Sequence, residues 1–143
     1  MADIFHYFPI NAPLKKVFKS ISTPEGLDNW WCKNSNGKPA PGEVYKLSFG
    51  HEYNWSAVVT KYVPDRAFEL SITDADPDWT DTKVGFSLTS KDDATEVRFY
   101  HTGWKKDNEH YRISCYCWAM YLRILKRNVE YGERVPYEDR LNV

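Results

Sequence analysis

Apolar and polar positions alternate with a period of two over most of the chain and switch to a helical period in two places. Ile4, His6, Phe8 and Ile10 alternate with Phe5, Tyr7 and Pro9, which predicts a first strand. Asn11 is placed to cap a helix, and Pro13 suits its first turn. Leu14, Val17, Phe18 and Ile21 then recur at helical spacing and predict a short amphipathic helix ending near Thr23. A second short helix is expected over Pro24–Trp31, followed by an Asn-, Gly- and Pro-rich loop from Asn34 to Gly42.

Five strands follow: one around Tyr45, Leu47 and Phe49, one around Tyr53, Trp55, Ala57 and Val59, and one around Phe68, Leu70 and Ile72. Val84, Phe86 and Leu88 mark the fourth, and Val97, Phe99 and His101 the fifth. Turn signals separate them at Gly50-His51, Pro64-Asp65, Asp74 to Asp81 and Lys91-Asp92-Asp93, the pattern of an antiparallel meander. From about Asp107 the period becomes helical. Asn108 to Tyr131 reads as one long helix stopped by Gly132, and the polar tail from Glu133 to Val143 as extended chain.

On the wheel of that helix, Arg112, Tyr116, Ala119, Arg123, Lys126, Arg127 and Glu130 form a solvent arc of about 100°. The remainder, including Ile113, Cys117, Trp118, Met120, Leu122, Ile124, Leu125 and Val129, spans more than half the circle. A flat sheet needs a narrower apolar stripe, so a sheet curled around the helix is expected. Ser114, Tyr121 and Asn128 fall in the middle of this face at seven-residue spacing. Buried polar groups require partners. They are either structural hydrogen-bonding groups or the lining of a cavity between helix and sheet.

Length and composition narrow the class. With 143 residues the chain fits one domain, residues 1–143 with a polar tail at 132–143, large enough to be stable without disulfides or a structural metal. A net charge of −1 gives no general attraction to nucleic acid or an anionic membrane. No apolar run approaches the roughly 18 residues of a membrane span. The N-terminus lacks the basic and apolar regions of a secretory signal. Cys32, Cys115 and Cys117 do not make a disulfide framework, so reduced thiols in a cytoplasmic protein are expected. Six Trp and ten Tyr supply enough aromatic area for either a thick core or a pocket wall.

The order of elements resembles the helix-grip fold of plant pollen allergens, START lipid-transfer domains and polyketide cyclases: an α+β START/Bet v1-like architecture of the SRPBCC superfamily. More specifically the sequence resembles the Hsp90-ATPase-activator-homologue (AHSA1-like) family. The resemblance rests on Ile10-Asn11-Ala12-Pro13 with Val17-Phe18, and on Thr23-Pro24-Glu25-Gly26-Leu27 with Trp30-Trp31. It continues through Tyr62-Val63-Pro64-Asp65-Arg66, the run Ala94 to Trp104, Cys117-Trp118 with Leu122 and Leu125-Lys126, and Glu130 to Pro136. It implies a curved antiparallel sheet around the long helix, with a cavity between them. The Gly37-Lys38-Pro39-Ala40-Pro41-Gly42 turn is stiffer than the glycine-rich turn common in the family. Eukaryotic activators of Hsp90 carry an extra N-terminal domain for which this sequence has no room, so strong stimulation of Hsp90 by this chain alone is not expected.

No nucleophile motif, phosphate loop or zinc-ligand spacing appears, and no cofactor is implied. None of His6, His51, His101 and His110 pairs with another at metal-ligand spacing. His101 shares the core face with Val97 and Phe99, either as a satisfied core residue or as a ligand contact or general base. Trp30 and Trp31 form either a pocket rim or a plug packing the short helix on the sheet. The acidic stretch Asp74 to Asp81 lacks the Gly and terminal Glu of an EF-hand and is expected to be a solvated turn. Candidate ligand-binding residues are Tyr121, Ser114, Asn128, Trp118, His101, Phe99, Trp55, Trp30 and Trp31. Three functions follow: binding of a small apolar or aromatic ligand, a chaperone-associated or self-associating interaction domain, or a cyclase- or hydrolase-type enzyme using His101.

Overall fold

The computed structural model describes residues 2–50 and 53–142. The elements run β1 (Ala2–Ile10), α1 (Leu14–Ser22), α2 (Pro24–Asp28), β2 (Asn34–Asn36), β3 (Val44–Ser48), β4 (Asn54–Val63), β5 (Ala67–Asp74), β6 (Lys83–Lys91), β7 (Ala94–Trp104) and α3 (Glu109–Tyr131), closed by a 3-10 helix at Tyr137–Asn142. The seven strands form one antiparallel sheet in the order β1-β7-β6-β5-β4-β3-β2. The sheet curves around α3 in the expected helix-grip arrangement. Register shifts between Ser56 and Ala57, between Val59 and Lys61, and between Ala2 and Ile4 help it bend.

Alternation decides which side chains reach the concave face. Thr95, Val97, Phe99 and His101 of β7 are buried there with Phe86 and Leu88 of β6 and Phe68, Leu70 and Ile72 of β5. On the opposite face Gly85 leaves room for the Tyr100 ring: a Cβ at Gly85 would lie 2.3 Å from the Tyr100 hydroxyl. Helix α3 starts at Asn108, whose side chain accepts from the Tyr111 N–H at 2.9 Å. It ends at Gly132, where φ is +71°, a left-handed conformation that glycine adopts without strain.

Several local expectations are corrected. Asn11 does not cap α1; Pro13 occupies that position, and the Asn11 N–H is bonded to Glu130 on α3 at 2.7 Å. The second helix stops at Asp28, and Trp30, Trp31 and Cys32 fold back in a turn whose N–H groups all reach the Leu27 carbonyl. The expected loop after it contains β2, which takes the edge of the sheet beside β3. The expected turn at Gly50-His51 lies partly outside the described residues.

The tail is not simply extended. It returns as the 3-10 helix and inserts Arg140, 6% exposed, whose guanidinium donates to the carbonyls of Asp28, Cys32 and Val135. On α3, Ile113 is exposed rather than buried. The buried residues of α3 are Ser114, Trp118, Leu122, Ile124, Leu125 and Val129, while Cys117 and Tyr121 on the same side are only partly buried. All three cysteines are free.

Candidate functional site

The open flank of α3 borders a cavity of about 370 Å³. Its walls come from separate parts of the chain: Trp31 after α2, Phe49 just after β3, Trp55 on β4, Trp79 from the β5–β6 connection, and Tyr137 from the tail. From α3 come His110, Ser114, Cys117 and Tyr121, whose spacing of four, three and four keeps them on one side of the helix, together with Trp118.

The aromatic rings brace one another. Trp79 stacks on Trp118 with centroids 5.7 Å apart and meets Trp55 at 5.0 Å, while Trp31 packs on Trp118 at 5.2 Å. Trp79 is therefore mostly buried, so the acidic turn expected to be merely solvated plugs its indole into the interior. Ser114 fixes that plug by accepting the Trp79 indole N–H at 3.3 Å.

Among the polar groups on the cavity wall, the indole N–H groups of Trp31 and Trp55 and the hydroxyls of Tyr53 and Tyr121 have no hydrogen-bond partner among the described residues. Trp31 exposes only 2% of its surface. Its N–H is nonetheless not sealed, since the only fully buried side-chain N–H or O–H without a partner among the described residues is that of Trp104. What Trp31 exposes therefore includes this N–H, and Trp31 is one of the residues that line the cavity. Burial, with a smaller effect of Tyr137, pushes the Tyr121 phenol up to about 12, so it is a neutral O–H at physiological pH.

The expected polar row is only partly assembled. Ser114 and Tyr121 line the cavity, whereas Asn128 turns toward the helix exit and donates to the Glu133 carbonyl at 3.0 Å. Trp31, Trp55 and Trp118 line it. Trp30, Phe99 and His101 lie behind that wall. Trp30 is fully buried and donates its N–H to the Ser20 carbonyl at 3.0 Å, and Phe99 packs against Trp118 at 4.5 Å. His101 is fully buried, with both ring nitrogens bonded to Trp118 and Thr82.

At one end of the cavity His110 approaches the β5–β6 connection. Its Nδ1 lies 2.9 Å from Asp78 Oδ2 and 3.7 Å from Asp76 Oδ1. The three offer ligand atoms within 4.8 Å of one another, the one such group of metal-capable side chains among the described residues. Sequence spacing gave no hint of this group, because 32 residues separate Asp78 from His110. Trp79, Cys117 and Tyr137 were equally missed. The signal available for Trp79 was a lone large aromatic inside an otherwise polar turn.

The sequence matches the family model described as activator of Hsp90 ATPase homolog 1-like protein over residues 11–130. The solution structure of the Aha1 dimer from Colwellia psychrerythraea is 28% identical and superposes with a TM-score of 0.84, covering 93% of this chain and 99% of that one. Protein MLL2253 from Mesorhizobium loti is 19% identical with a TM-score of 0.79, covering 92% and 99%. CalU16 from Micromonospora echinospora is 19% identical with a TM-score of 0.75, covering 96% and 83%. At their identities the last two speak to the fold alone. No curated protein matches the sequence.

Proposed function

The chain belongs to the activator of Hsp90 ATPase homolog 1-like family, and we propose that it binds a small, flat aromatic or apolar molecule in the cavity between sheet and α3. The observation that carries this reading is the indole N–H of Trp31, a nearly buried residue of the cavity wall, which has no partner among the described residues and is not sealed off. A polar group held this way is costly unless something accepts its hydrogen bond. Trp55 and Tyr121, whose N–H and hydroxyl also lack partners among the described residues, line the same space. The volume falls within the range of small-molecule sites, and the aromatic walls suit a planar guest. Three free thiols fit a reducing cytoplasmic setting.

Titration with 9-fluorenone, a planar ketone, tests the reading. Saturable quenching of tryptophan emission is expected, weakened in Trp31→Phe. A flat titration overturns it.

A second reading, self-association, is favoured by β1 at the sheet edge and by the dimeric state of the Colwellia protein. The carbonyls of Asp3 and Pro9 on the outer edge of β1 accept from Tyr111 and Lys126 of α3. Between them, Phe5 and Tyr7 are exposed on a stretch whose outward backbone groups are free to pair with a second β1. Sedimentation should show a dimer that Phe5→Lys and Tyr7→Lys together dissociate; a monomer at high concentration overturns it.

A further inference from the structure

Resting on the cavity as a site for a flat aromatic molecule, we propose that His110 acts there as a general base, oriented by Asp78, and moves a proton from one atom of the bound molecule to another. The bond at 2.9 Å joins His110 Nδ1 to a carboxylate oxygen. Asp78 is ionised at neutral pH: the hydrogen bond from His110, with one from Asn108, holds its carboxyl below the usual range against a smaller desolvation. An ionised carboxylate only accepts, so Nδ1 carries the proton and the lone pair of the neutral ring is on Nε2.

The carboxylate is itself held in place. The Asp78 N–H donates to Asp76 Oδ1 at 2.9 Å, and Asn108 Nδ2 donates to Asp78 Oδ2 at 3.4 Å. The His110 ring stands perpendicular to Trp104 at 5.5 Å, which restrains its rotation. A base held by an orienting acid, on the wall of a cavity that contains hydrogen-bond donors, is the arrangement proton-transfer sites require. His101 does not compete for the role, since both its nitrogens are engaged behind the wall.

Charged and titratable groups surround the His110 ring. Asp76 and Asp78 face it from the β5–β6 connection. His101 lies behind it on β7. From the β7–α3 connection, Lys106 acts on Asp78, and Lys105 is bonded to the carbonyls of Pro77 and Thr80. In the step, an acidic C–H or O–H of the guest loses its proton to Nε2 and keeps the bonding pair as an enolate or phenolate. The imidazolium, stabilised by Asp78 and Asp76, then returns the proton to a different atom. No oxidant, reductant or second substrate is consumed, and the class of reaction is a tautomerisation or double-bond isomerisation.

The test uses the intact protein with 5-nitro-1,2-benzisoxazole, a planar probe with a single acidic C–H. Removing that proton turns the C–H pair into a nitrile bond while the N–O bond breaks, and the coloured phenolate is followed directly. Tryptophan quenching by the same probe reports binding. Saturable turnover is expected, reduced on the order of tenfold or more in His110→Gln, with quenching unchanged. Asp78→Asn should lower turnover with quenching unchanged, because the ring loses the partner that fixes its tautomer. Quenching without turnover, or turnover that survives His110→Gln, overturns the general-base role and leaves the binding site standing. Absence of both quenching and turnover removes the cavity reading and this role together.

Discussion

The indole N–H of Trp118 donates to Nδ1 of His101 at 3.0 Å, and this bond decides the chemistry of the buried imidazole. Because Nδ1 accepts, Nε2 carries the proton and donates to Thr82 Oγ1 at 2.8 Å, while the Thr82 hydroxyl donates to the Trp79 carbonyl. The chain ties the long helix to β7 and to the turn that supplies Trp79. It also leaves no place for a second proton on the ring. Burial, and secondarily the nearby charge of His110, lower the His101 pKa to about 3.

A folded-state value below the unfolded one near 6.5 has a definite sign. The contribution to stability is fully present above pH 6.5 and is lost as pH falls toward 3. Urea unfolding at pH 7, 5 and 4 should show that decline. His101→Gln should cost about 2 kcal/mol at pH 7, by leaving the Trp118 N–H or Thr82 unpaired, and should flatten the decline.

Tyr121→Phe separates a structural hydroxyl from a ligand-facing one. Since the hydroxyl has no partner among the described residues and borders the cavity, thermal unfolding should stay within about 0.5 kcal/mol of the parent. Affinity for 9-fluorenone should fall severalfold. A clear loss of stability with unchanged affinity would assign the group to the fold instead.

Trp79 tests whether the acidic turn belongs to the core. It is 8% exposed and is packed among Trp55, Trp118, Trp104 and His101. Trp79→Ala should destabilise by about 3 kcal/mol, the scale of a buried aromatic truncation. A solvated turn would lose almost nothing, and chemical denaturation distinguishes the two.

Arg140 pins the tail against the turn after α2, which carries Trp31 into the cavity wall, while the Tyr137 hydroxyl donates to the Phe49 carbonyl at 3.0 Å on the other side. Arg140→Ala should cost about 2 kcal/mol, because it strips three carbonyls of a charged donor. It should also weaken probe binding by loosening Tyr137. Hydrogen exchange should show the loss of protection confined to Trp30–Cys32 and the tail.

The strands around Ile4, Leu47, Val59, Leu70, Phe86 and Phe99 were legible because a half-buried strand writes its inside and outside in alternate residues. The limits of α3 were legible because Asn108 and Gly132 perform local tasks, a side-chain cap and a left-handed stop, that depend on few neighbours. Trp31, Trp55, Trp118, Ser114 and Tyr121, singled out by residue type and helical phase, all border the cavity. Phase alone misplaced Asn128 and Ile113, since it says which way a side chain points and not how far the sheet reaches. The strand order, Trp79 as a plug, Arg140 as a clasp, the sealing of His101 and the meeting of His110 with Asp78 were decided only by the tertiary structure. Each joins segments remote in sequence, and its energy comes from contacts and hydrogen bonds that exist only once the sheet has curled around the helix.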